Sequence, residues 1–222
     1  MLKKIKTEWS PQLSYLIGVI ATDGNLSPDG RHITITSKDA DFLLLIRARF
    51  NLTSNVGKKR SGLSQEKKYS VLQIGDVNFY RFLLSIGLTP KKSKTIGALN
   101  IPPDLFGHFF RGCIDGDGSI TLSNHPETTK KQLRIRLCSA SKKFVLWTQE
   151  NLNQNLELGG GWIYSPKTQN LHTLSYGKAD SVKILQYMYH GSGKLYLDRK
   201  FKIAKQFLGK HQIARVVKQK TR

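Results

Sequence analysis

An apolar stretch that occurs twice constrains this chain more than any other feature. Leu16-Ile17-Gly18-Val19-Ile20-Ala21-Thr22-Asp23-Gly24 recurs in frame as Phe110-Arg111-Gly112-Cys113-Ile114-Asp115-Gly116-Asp117-Gly118. Each copy has a glycine in third place and ends in Asp-Gly, where a carboxylate meets a residue able to leave a helix with positive φ. Small residues at Gly18 and Ala21, and at Gly112, would let two such helices approach backbone to backbone, so that their ends coincide. Asp23 and Asp117 would then lie side by side and repel each other unless a divalent cation bridged them. The negative ends of two helices favour that cation further. Mg²⁺, a hard ion held by a few carboxylates, waters and phosphate oxygens, is the natural candidate.

The rest of the chain repeats around these copies. Ser10-Pro11 reads as an N-cap followed by proline at the first helical position, opening a helix over 12–22. An alternating strand over 32–36, a helix over 39–50, a strand pair over 56–60 and 68–74 around Ser61-Gly62, and a helix over 77–86 follow. After a Pro- and Gly-bearing linker the order returns: Asp104 as the cap of a helix through Gly116, strands over 119–123 and 133–138, a helix over 142–152, strands over 162–164 and 171–176, and a helix over 179–189. Phe42 and Phe144, Gly75 and Gly177, and Leu83 and Leu185 are each 102 positions apart, whereas Asp23 and Asp117 are 94 apart. A longer hairpin loop over 124–131 is the expected place for the difference. The fold class is therefore α+β: two pseudo-twofold-related αββαββα units, at 1–88 and 104–209, joined by a linker over 89–103 and followed by a basic tail over 210–222.

Charge narrows the partner. Against 15 Asp and Glu stand 36 Lys and Arg, a net charge of +21, which calls for a polyanion and puts nucleic acid first. The 39% hydrophobic content is enough for a packed core. Cys113 and Cys138 are too few for a zinc set or a disulfide scaffold and read as reduced core thiols. His108, His125, His172 and His190 lack metal-ligand spacing, and Gly191-Ser192-Gly193-Lys194 lacks the first Gly and final Ser or Thr of a phosphate loop. The basic and apolar opening is broken by Trp9-Ser10-Pro11, and no apolar run nears the roughly 20 residues of a membrane span. An intracellular protein without a membrane partner is expected, in a bacterial cytoplasm or an organelle.

Taken together, the paired stretches resemble the two signature motifs of a single-chain LAGLIDADG homing endonuclease, over Ser10 to about Lys205. The resemblance implies a monomer that hydrolyses one phosphodiester on each strand of double-stranded DNA, in a long asymmetric target of roughly 20 bp. It implies Mg²⁺ as cofactor, with Mn²⁺ or Ca²⁺ able to substitute. Its eighth motif residue, the metal ligand, maps to Asp23 and Asp117, and its seventh, through the backbone carbonyl, to Thr22 and Gly116. The sixth place, not catalytic, is Ala21 in one copy and Asp115 in the other. A basic residue near each scissile phosphate corresponds to Lys94 and Lys200, and a polar residue ordering water at the end of the second strand to Ser37 and Ser139. Lys38 stands opposite Ala140, so the halves are unequal. Phe110-Arg111 departs from the family's Leu and small residue, and Arg111 is expected at the rim of its helix. Other members of the family suggest two alternatives: an RNA maturase that binds a group I intron RNA, and a DNA-binding regulator that does not cut.

Strand alternation also marks a DNA-reading face on each antiparallel β-saddle. In Leu133-Arg134-Ile135-Arg136-Leu137 the apolar residues point to the helices, and Arg134 and Arg136 to the other side. Tyr69, Val71 and Gln73 share a face, as do Leu171, Thr173 and Ser175, with Arg31, Lys38, Lys58, Arg60, Gln132, Lys167 and Gln169 at strand ends. Arg to guanine and Gln to adenine are the major-groove pairings to expect. Arg134→Ala or Arg136→Ala should relax sequence preference or weaken binding by about 1–3 kcal/mol, read by titrating single-base variants of the target. An unchanged preference at every base pair would reduce both to phosphate contacts.

Overall fold

Both units begin with the helix that carries the repeated stretch. In the computed structural model, residues 5–59, 69–125, 128–190 and 195–209 are described. Arg60, the Ser61-Gly62 turn, the Gly191–Lys194 stretch and the tail lie outside them. Helix α1 (Pro11–Asp23) starts where the Ser10 hydroxyl accepts from the Leu13 N–H at 3.2 Å, with Pro11 in the first turn. Strands β1 (Gly24–Leu26) and β2 (His32–Ser37), helix α2 (Ala40–Arg49), strands β3 (Val56–Lys59) and β4 (Tyr69–Gly75) and helix α3 (Val77–Ser85) complete the first unit. The second holds α4 (Phe106–Asp115), β5 (Gly118–His125), β6 (Thr128–Ser139), α5 (Lys142–Asn155), β7 (Trp162–Tyr164), β8 (His172–Tyr176) and α6 (Lys178–Met188). The sheets run β1-β2-β4-β3 and β5-β6-β8-β7, the same antiparallel order twice. A further helix, α7 (Asp198–Ala204), forms where the sequence shows only a basic stretch.

Each sheet buries one face. Ile33, Ile35, Leu72 and Ile74 point inward from the first, and Leu133, Ile135, Leu137 and Leu174 from the second. Between them α1 and α4 meet with no side chain at the crossing. A Cβ on Gly18 would lie 2.0 Å from the Phe109 carbonyl oxygen, and one on Gly112 would lie 2.1 Å from that of Tyr15. Only hydrogen fits at these positions, and the contact sets the distance between the two units.

Several local expectations change on folding. Gly24 leaves α1 in an extended conformation, φ −87°, rather than a left-handed one. Its glycine is needed because a Cβ would sit 2.5 Å from the Ile20 carbonyl oxygen. The extra residues of the second unit do not form a long loop. They lengthen the β5–β6 ribbon, in which Asn124 pairs with Lys131 and His125 with Thr128, since backbone pairing does not depend on apolar side chains. Asp104 does not cap α4; it is exposed in a short 3₁₀ turn, Pro103–Leu105, that precedes the helix. Cys113 is a core thiol, but Cys138 turns to the outer face of β6, its Sγ 3.5 Å from the Thr173 hydroxyl.

Arg111 is not at a rim. It is 1% exposed, because every residue of α4 is buried between the units and the helix has no open side. One guanidinium nitrogen donates to the Met188 carbonyl at 2.7 Å, and the group lies over the rings of Tyr15 and Tyr189 at 5.1 and 5.5 Å.

Gly18→Ala and Gly112→Ala should each destabilise the protein by about 1–3 kcal/mol or more in urea denaturation, from overpacking against immovable backbone. Gly97→Ala, where a Cβ meets nothing within 4 Å, should stay within about 0.5 kcal/mol of the parent.

Candidate active site

Because α1 and α4 touch through glycine, their C-terminal ends deliver two carboxylates to one place. Asp23 is the last residue of α1, and Asp117 follows α4 by two residues. The Asp23 carboxylate packs against Gly116, where an added Cβ would fall 3.3 Å from its Oδ2. Burial, then the negative charge of Asp117, pushes the Asp23 pKa up from 3.8 to about 7, against the pull of Lys200 and Lys92. Burial raises Asp117 as well, with both lysines opposing. The contact between the two carboxyls raises Asp23 further and lowers Asp117, so the pair favours one charge over two.

Two buried lysines flank the pair, Lys200 from the second unit and Lys92 from the connection that follows the first. Lys200, on α7, donates to the carbonyls of Ile114 at 2.5 Å, Gly118 at 2.8 Å, Asp115 at 3.0 Å and Gly116 at 3.4 Å. It gathers the carbonyls that α4 leaves unpaired at its end and joins them to the start of β5. At the first unit that position falls to Lys92, which donates to the Gly24 carbonyl at 2.6 Å. Lys94, the residue expected there, is exposed. Lys91 takes a left-handed conformation, φ 55°, and opens a 3₁₀ turn over Lys92–Lys94 that sends Lys92 inward and Lys94 out. Nothing in Lys91-Lys92-Ser93-Lys94 marks which lysine turns in. Desolvation lowers both buried lysines from 10.5 to about 8, while the aspartates pull the other way.

Thr22, Ala21, Lys92, Ser93, Asp117 and Ser139 line a cleft at this place. The Thr22 hydroxyl donates back to the Gly18 carbonyl at 3.1 Å, and the Gly116 carbonyl is occupied by Lys200. Ser37 and Ser139 have matching roles: each hydroxyl oxygen accepts at 3.1 Å from the backbone N–H two residues on, Asp39 and Ser141, just before α2 and α5. Asp115 points away from the cleft. Buried at 3% exposure, it accepts from the Tyr15 hydroxyl at 2.7 Å and the Leu197 N–H at 2.9 Å, tying α4 to α1 and to the segment ahead of α7.

As hard oxygen donors, Asp23 and Asp117 suit a divalent cation, and their mutual repulsion is the charge such an ion would relieve. Among the described residues no third His, Cys, Asp or Glu joins them. The remaining ligands would have to be waters, a backbone carbonyl and phosphate oxygens, the usual company of Mg²⁺.

The outer faces of the sheets carry most of the expected DNA-reading side chains. Arg134 pairs with Thr121 and Arg136 with Ser119 and Ser175; Gln132 accepts from Arg134 at 3.2 Å. Tyr69 and Gln73 share the outer face of β4, and the Lys38 ammonium lies 5.7 Å from the Tyr69 ring. Arg31, Lys167, Gln169 and Thr173 are at least partly open. Two positions differ. Lys58 pairs with Ser70 on the opposite face and donates to its hydroxyl at 3.3 Å. Ser175 is 3% exposed, in register between Arg136 and Trp162. Trp162 and Tyr164 project from this face and were not anticipated, although the alternation around Ile163 places both opposite it.

Residues 10–87, the first unit, match the family described as "LAGLIDADG-like domain". The order of elements in that unit is repeated in the second. The chain has the two-unit LAGLIDADG fold. Among similar solved structures, full-length DUF199/WhiA from Thermatoga maritima has a TM-score of 0.53 at 15% identity, over 99% of this chain and 70% of that one. The homing endonuclease I-WcaI bound to its DNA recognition sequence has a TM-score of 0.56 at 14% identity, over 96% and 90%. An I-DmoI variant in complex with its target DNA in the presence of Mg has 0.53 at 15%, over 81% and 96%. No curated protein matches the sequence.

Because the folded state holds the Asp23 proton more tightly than the unfolded chain does, its ionisation costs stability as pH rises from about 4 through about 7. Asp23→Asn should therefore raise Tm by a few degrees at pH 8 and change it little at pH 4. Mg²⁺ added to the parent at pH 8 should do likewise. Equal shifts at both pH values would remove the carboxylate pair as the source of the strain.

Proposed function

We propose that the protein is a site-specific, divalent-metal-dependent endonuclease for double-stranded DNA. The observation that carries this reading is the carboxylate pair, one from each unit, held together at a cost that a protein without chemistry to perform has no reason to bear. The basic faces on either side suit a polyanion, and the fold shared with DNA-bound homing endonucleases supports the same substrate. A single chain provides both halves, so the working unit is a monomer.

In this reading Asp23 and Asp117 hold the cation, which when bound would lower the pKa of an attacking water and neutralise charge on the phosphate. Lys200 and Lys92 fix the ends of the two motif helices, and with them the separation of the carboxylates. Their positive charge beside the carboxylates would stabilise charge developing on the phosphate, a preorganised electrostatic contribution. Ser37 and Ser139, whose oxygens already accept from the backbone, keep their O–H groups free to donate to water. Unlike side chains on the two sheets require an asymmetric target, of roughly 20 bp for two saddles end to end. The same face could bind intron RNA without cutting, but the retained carboxylate pair favours hydrolysis.

The test is cleavage selection from a randomised duplex library, with and without Mg²⁺, Mn²⁺ or Ca²⁺. Asp23→Asn and Asp117→Asn should each abolish cleavage while leaving binding intact or tighter. If either variant still cuts, the metal assignment is wrong.

A further inference from the structure

We propose that Trp162 and Tyr164 form an apolar reading edge for thymine methyl groups, in the stretch of DNA that lies against the second sheet beside the cleft. The inference rests on the endonuclease reading above and names the sequence chemistry that one half of the target must supply.

Strand β7 is the edge of its sheet, and its register sets both rings on the outer face. Trp162 pairs with Ser175, which pairs with Arg136; Tyr164 pairs with Thr173, which pairs with Cys138; Ile163 between them turns inward against Leu174. Trp162 is 48% and Tyr164 63% exposed, the only aromatic side chains this open among the described residues. Leu171, 38% exposed, lies two residues before Thr173 and lines the cleft together with Asp117 and Ser139. The apolar surface therefore starts at the cleft and continues along the sheet edge, sharing its face with Arg134 and Arg136.

Apolar side chains left open on a basic face point to a partner that displays both negative charge and apolar atoms. Duplex DNA meets the first requirement with phosphates. In its major groove it meets the second with one group alone, the C5-methyl of thymine. On the first sheet the corresponding edge strand, β3, presents Gly57 opposite Val71 and offers no ring at that pair. Thymine preference of this origin, set by Trp162 and Tyr164, falls in the half of the target bound by the second unit.

The experiment takes duplexes selected by the full chain from a randomised pool and remakes them with deoxyuridine for thymine, one position at a time. Removing a methyl that the rings cover should weaken binding by the wild-type protein about fourfold in fluorescence anisotropy. Trp162→Ala or Tyr164→Ala, with unchanged circular dichroism, should bind the thymine and deoxyuridine duplexes equally. The proposal is overturned if the wild type does not distinguish thymine from deoxyuridine at any position of that half, or if both variants retain the distinction. It is also overturned if the variants lose affinity only for single-stranded DNA or RNA, which would make the rings a stacking platform for unpaired bases. A chain that enriches no duplex at all would instead defeat the endonuclease reading on which the proposal stands.

Discussion

Two glycines in contact govern the geometry of this molecule. At Gly18 and Gly112 the backbones of α1 and α4 touch with no side chain between them, and the separation of the two units follows from that distance. A methyl on each side would force the helices apart, and Asp23 and Asp117 with them. Buried together, both have raised pKa values, Asp23 also through the negative charge of Asp117, and two lysines oppose the shift. The packing contact and the carboxylate pair are thus one constraint, expressed at the middle of the helices and felt at their ends.

The supporting polar groups divide into those that hold backbone beside the cleft and those buried away from it. Lys200 and Lys92 spend their hydrogen bonds on main-chain carbonyls, and Ser37 and Ser139 accept from main-chain N–H groups. Asp115 and Arg111 occupy the interior behind α4. Arg111 meets the Met188 carbonyl and two tyrosine rings, and Asp115 meets Tyr15 and the Leu197 N–H. The compensation is partial, since Nε and Nη2 of Arg111 and Oδ1 of Asp115 are buried without a hydrogen-bond partner among the described residues, and truncating one member of such a set exposes the desolvation cost of the others. The sixth motif place in the second copy is therefore a brace between units.

Much of this was legible in the sequence, because duplication turns one weak signal into two that must agree. The repeat at Phe42 and Phe144 or Leu83 and Leu185 gave the order of elements, and period-two alternation at Arg134 and Arg136 gave the face. What could not be read depends on tertiary surroundings. A helix buried all round hides Arg111, a left-handed Lys91 decides between Lys92 and Lys94, and strand register puts Lys58 on the far side of β4. The left-handed glycine expected at the end of α1 failed for a related reason: crowding by the Ile20 backbone, not φ, selects Gly24.

The turn at Lys91–Lys94 has one more implication, for how such a chain can be divided. Lys92 belongs by sequence to the connection between units, yet its ammonium sits at the end of α1, and a little further on Ile96, Leu99 and Ile101 are buried. The Ile96 carbonyl accepts from the Ser141 hydroxyl at the head of α5. A boundary drawn where the last helix of the first unit ends would cut off the cation that the unit contributes to the shared site. As a physical module the first half extends at least through the turn, and any shuffling or fusion of halves has to carry that segment with it.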